Sequence, residues 1–163
     1  FKQTVEKLAL YKLNDENPLT NQDISKCIPI SNESQIDEVL TVVLSGNHSK
    51  ISQIINRLSS QGVLPVPLLI AATRHFKILF SIASNPKGPS SGAAALRPPI
   101  YGPRKENLIN QAQKWGPEKI KNAIKSITAT NLQLRSQNQK LPQMALVERL
   151  FIRLAMTLNN QID

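Results

Sequence analysis

Apolar residues along this chain recur every three or four positions, with β-branched residues at that spacing rather than in alternation, which predicts an all-α fold. Val5, Leu8 and Ala9 share one face of a predicted helix over 2–12, with Tyr11 at its end. Asn14 to Asn17 and Pro18 break it. Thr20, with Asp23 in a capping-box-like position, predicts a short helix over 21–27 that ends before Pro29. The run from Pro29 to Ser34 is expected to connect two domains, 1–34 and 35–163.

Beyond the connector the apolar stripes lengthen. Ile36, Val39, Leu40, Val43 and Leu44 predict a helix over 35–45, stopped by Gly46-Asn47. Ile51, Ile54, Ile55 and Leu58 predict another over 49–61, with Gly62 as its left-handed cap. Pro65 and Pro67 sit where a missing N–H costs little, at the start of a helix over 66–83. That helix is apolar nearly all round, which predicts a central position. Residues 84–103 are rich in Pro, Gly, Ser and Ala and read as a mobile loop or a long surface excursion. Leu108, Ile109, Ala112 and Trp115 predict a helix over 104–115, which Gly116-Pro117 ends while starting the next. That next helix, over 117–135, is expected to turn Ile120, Ala123, Ile124, Ile127, Leu132 and Leu134 inward or nearly so. Ser136 to Lys140 reads as a loop, and Val147, Leu150, Phe151, Leu154 and Leu158 stripe a last helix over 142–158. The expected architecture is a six-helix bundle preceded by a two-helix piece.

Composition narrows the function classes. At 163 residues the chain has room for one domain, or one domain and a fragment of another. Aromatics make up only 4% against 40% hydrophobic residues, so the core must be aliphatic. The net charge of +9 favours a polyanionic partner or simply a well-solvated surface. One cysteine, Cys27, rules out an internal disulfide and fits the cytoplasm. No signal peptide and no apolar run of membrane-spanning length is visible, so no membrane partner is expected. The chain begins mid-pattern at Phe1 and reads as a piece of a longer protein.

No residue set predicts catalysis. His48 and His75 are scattered and, with one cysteine, offer no metal-ligand spacing. There is no nucleophile-elbow Gly-x-Ser-x-Gly and no phosphate-cradling Gly-Lys-Ser/Thr loop, so neither enzyme nor cofactor is expected. Arg104 and Lys105 stand at a helix start, where positive charge opposes the macrodipole. With Arg135 beside the last loop, they are candidates for DNA contact or for a partner's carboxylates. Trp115 reads as a helix-junction anchor and Tyr101 as the better outward aromatic.

Four blocks in order resemble the C-terminal half of the delta subunit of bacterial DNA polymerase III, a clamp-loader subunit. KQTVEKLALY at 2–11 with LTNQDISKCI at 19–28 is similar to the end of that family's lid domain, although Thr4 stands where an acid is usual. The helix pair from Ile36 to Gly62, with Arg57-Leu58 ahead of the glycine, forms the second block. The third is the apolar helix with Arg74-His75-Phe76, then Arg97-Pro98-Pro99-Ile100-Tyr101 and Trp115. The fourth is ATNLQLR at 129–135, with Asn131 and Arg135 in place of Asp and Lys.

The resemblance implies that 1–34 is a lid-domain fragment and 35–163 a helical collar. It further implies that this piece is non-catalytic, although the whole protein would serve a nucleotidyltransferase holoenzyme. Other loader subunits would be partners through the collar, and primed DNA a further one. The sliding clamp would be reached only through a nucleotide-fold domain preceding Phe1. Leu146, Arg149, Phe151 and Arg153 on the last helix are the expected subunit interface. The rival reading is a stand-alone basic helical domain that binds nucleic acid.

Overall fold

The computed structural model describes residues 9, 10, 13, 20, 32–136 and 142–159. Every regular element among them is helical, as the spacing predicts. The chain divides into two compact units, Phe1–Gln35 and Ile36–Asp163. In the first, Ala9 and Leu10 are helical. The rest of the helix expected over 2–12, all of that over 21–27, and most of the Ser136–Lys140 loop lie outside the described residues.

The larger unit contains α1 (Asn32–Ser45, whose first turn belongs to the smaller unit), a 3-10 turn at His48–Lys50, and α2 (Ile51–Ser60). Then come α3 (Pro65–Ala83), α4 (Pro89–Ala94), α5 (Pro103–Leu134) and α6 (Gln143–Asn159). Helix α1 starts inside the stretch expected to be a connector, so Asn32 to Ser34 are helix rather than linker.

The predicted stops hold, and backbone hydrogen bonds show why. At the end of α2, Val63 N–H donates to the Leu58 carbonyl and Gly62 N–H to that of Ser59, both at 3.0 Å. This is the Schellman pattern, and it needs the positive φ of +78° that Gly62 adopts without strain. Leu58 and Val63 are both buried, supplying the apolar contact that accompanies the motif. Gly46, at φ +82°, ends α1 in the same way.

Helix α3 carries the core. Leu68, Leu69, Ala72, Phe76, Leu79 and Ile82 are all at 0% exposure along its length. By length and composition alone α3 is apolar enough to cross a membrane, contrary to the expectation that no run reaches that size. Its Arg74 and Lys77 lie on the exposed side, opposite the residues committed to the core.

Two further expectations need correction. The segment 84–103 is not all loop, since Pro89–Ala94 form α4 with Gly92 and Ala93 buried. A Cβ at Gly92 would lie 2.5 Å from the Ile82 carbonyl oxygen, so only glycine lets α4 settle on the end of α3. Leu132 is not inward but 67% exposed. Helix α5 breaks where Gly116-Pro117 predict, at Gly116 with φ 68° and ψ 160°. Its second arm, from Pro117 on, turns Ile120, Ala123, Ile127, Thr130 and Leu134 to the core, a phase that leaves position 132 outside. Thr130 is tolerated there because its hydroxyl donates to the Ser126 carbonyl at 3.0 Å.

Candidate subunit interface

Helix α6 is amphipathic, so one face builds the core and the other defines the candidate site. Val147, Leu150, Phe151, Leu154, Ala155 and Leu158 are buried. Phe151, expected at the surface between subunits, is at 0% exposure. It lies on the inward stripe with Val147 and Leu154, so it supports the outer face from beneath and does not belong to it. Leu146 is 7% exposed, so only its edge reaches the surface. Arg149 and Arg153 point outward and are exposed.

The structure brings Leu146, Arg149 and Arg153 to one groove between α6 and the second arm of α5, with a volume of about 640 Å³. Thr130 and Gln133 form its α5 wall, and Ile152, Met156 and Thr157 complete the α6 side. Met156 is 46% exposed. No carboxylate lines the groove, and neither arginine has an ion-pair partner among the described residues. Met156 and Ile152 were not singled out from the sequence. Their position one turn from Arg153 and Arg149 on an otherwise core-forming helix was the available signal.

The three candidate DNA contacts are not one patch along the chain. Arg104 and Lys105 are in the first turn of α5, where Glu106 supplies the charge that suits the macrodipole. Arg135 caps the far end of the same helix. Arg104 is exposed and Lys105 half-buried. Arg104 also lines a recess of about 140 Å³ with Asp37, His75 and Gln111. There His75 Nε2 and Gln111 Oε1 lie 2.9 Å apart. Burial holds the imidazole below its ordinary value of 6.5, against the opposing effects of the Gln111 hydrogen bond and the Asp37 carboxylate. A satisfied, largely neutral histidine of this kind is structural.

Trp115 is an anchor, as its register predicts. It is 2% exposed and meets Phe76 edge to face, with ring centroids 5.1 Å apart. Its indole N–H donates to the Leu44 carbonyl at 3.2 Å, at the end of α1. Tyr101 is 77% exposed, the outward aromatic of the Pro-rich turn. Among the described residues no group of histidine, cysteine and carboxylate side chains is placed to hold a metal ion.

No protein-family model matches the chain, and no curated protein sequence matches it either. A solved structure does: the DNA clamp loader delta protein of Bacillus subtilis superposes with a TM-score of 0.69 at 17% sequence identity. The match covers 94% of this chain and 45% of that one, so the chain spans less than half the length of the structure it resembles. At this identity the likeness speaks for the fold, and the fold is the helical one of a clamp-loader delta protein.

Proposed function

We propose that this chain is a non-catalytic assembly part of a clamp-loader subunit of the delta type. In this reading 1–34 end a lid domain and 35–163 form a helical collar that packs against the collars of neighbouring loader subunits. The observation that carries it is a fold likeness running through 94% of the chain, in the same polypeptide whose four sequence blocks resemble that family in order. The outer face of α6 supports it further. Arg149, Arg153 and the edge of Leu146 are gathered there, with exposed apolar surface beside them.

Docking of such a face gains roughly 25 cal/mol for each Å² of apolar surface removed from water, before the ordering costs of association. The work expected of the collar is mechanical: it fixes where a clamp-gripping domain sits and performs no reaction. The test is co-expression with the ATP-binding clamp-loader subunits of the same organism, followed by size-exclusion chromatography. The chain should elute within a loader complex. Elution alone, together with salt-sensitive binding to primed DNA, would sink the assembly reading in favour of a nucleic-acid-binding domain, since phosphate-driven binding weakens steeply with salt.

A further inference from the structure

The groove on α6 has a chemistry specific enough to describe its occupant. Leu146, Arg149, Arg153 and Met156 follow one another at intervals of 3, 4 and 3 residues, so they form one straight seam on the helix. An apolar residue stands at each end of the seam, and two guanidinium groups one turn apart stand in the middle. The opposite wall, Thr130 and Gln133, is polar and uncharged. A seam of this spacing beside a second helix is the surface on which a third helix seats by ridge-into-groove packing.

We infer that the groove between α5 and α6 receives one helix of a partner subunit that carries two carboxylates one turn apart, with an apolar residue one turn outside each. This rests on the assembly reading above and names the partner's chemistry at that site. Charge complementarity carries the inference. The arginines are exposed, have no carboxylate opposite them among the described residues, and are flanked by apolar groups that an all-polar ligand would leave uncovered. Two carboxylates at i and i+4 on the incoming helix would meet Arg149 and Arg153 in planar, charge-assisted pairs. The flanking apolar residues would cover Leu146 at one end and Met156 with Ile152 at the other.

The probe is a synthetic helical peptide with the pattern Leu-x-x-Glu-x-x-x-Glu-x-x-Leu, titrated into the full chain and followed by fluorescence anisotropy. R149E/R153E should weaken binding at least about tenfold, the scale of losing desolvated charge pairs. A peptide with both Glu→Lys changes should fail on the unaltered chain and bind R149E/R153E, and M156E should weaken the original peptide without any change in helix content. Binding indifferent to R149E/R153E, no binding at all, or displacement of the peptide by single-stranded DNA would each overturn the inference. So would self-association of the chain that R149E/R153E abolishes, which would put a second copy in the groove. If R149E/R153E leaves loader assembly intact, this groove is wrong while the assembly reading stands. If the charge swap works but the loader complex never forms, the reverse holds.

Discussion

The end of α1 and the outer face of α6 treat polar groups in opposite ways. The last four carbonyls of a helix have no partner within it, yet at the end of α1 each finds one. The Val42 carbonyl accepts from Asn47 N–H at 3.2 Å and from the Ser45 hydroxyl, and that of Val43 accepts from Gly46 N–H. Trp115 takes Leu44, and Lys114 Nζ approaches Ser45 at 3.4 Å. Asn159 Nδ2, from the end of α6, donates to the Gly46 carbonyl at 2.8 Å. Three helices are therefore locked at one junction by directional bonds over an aromatic pair. On α6, by contrast, two arginines have no carboxylate partner among the described residues and a methionine stands half out of the fold. A chain that completes these bonds at one place and leaves charge and apolar surface open at another separates the part that holds the fold from the face proposed above for a partner.

Truncating the junction should hurt most. W115A removes the aromatic pair, the bond to Leu44 and a large buried volume. It is expected to destabilise the chain by about 3–5 kcal/mol, the range for large-to-small aromatic changes in cores. R149A/R153A should move stability by no more than about 0.5 kcal/mol, as for surface changes elsewhere. Urea denaturation of the two variants reads the contrast directly, and equal losses would erase it.

A smaller effect is expected where α4 rests on α3. G92A places a Cβ against the Ile82 backbone, which cannot rotate away as a side chain tip would. The overpacking should cost about 1–3 kcal/mol. A neutral result in thermal melts would mean that α4 contributes little to the packed core.

The smallest effect concerns pH. His75 is held neutral by burial, so its folded-state value lies below its ordinary one. Between those two values the unfolded chain binds more protons, and stability rises with pH. The contribution of His75 should thus be complete above about 6.5 and be lost as pH falls through the folded-state value. Urea midpoints measured from pH 7.5 down to 5 should decline, and H75Q should flatten the part of that slope due to this group. An identical slope in H75Q would assign the decline to other groups.

Local signals account for the places where sequence and structure agree. Gly46, Gly62 and Gly116 each need a positive φ, and a glycine after an apolar stripe is legible because no side chain has to be consulted. The stripes on α2 and α6 match their buried residues because each helix has one clear inward face. Departures arise where a neighbour decides. The composition of α4, with Pro, Ser and Gly, argues against helix, and what stabilises it is close approach to Ile82, which no local pattern encodes. On α5 the phase as packed turns Thr130 inward with Ile127 and Leu134 and leaves Leu132 outside, although Leu132 is the more apolar of the two. Phe151 at the candidate site differs: its place on the apolar stripe of α6 was legible, and what failed was the expectation that it is left over for a neighbouring subunit once the core is filled, since the core takes it whole.

Periodicity, caps and the lack of any catalytic spacing were properties of the sequence alone, because each depends on residues within a turn or two of one another. Together they made the chain helical and gave its helices most of their ends. Which face of α6 is open, which carbonyls Trp115 and Asn159 satisfy, and that Arg149 and Arg153 border a groove with Thr130 were decided only in three dimensions. Those facts depend on residues up to 113 positions apart, as Gly46 and Asn159 are, and on rotations of whole helices set by packing.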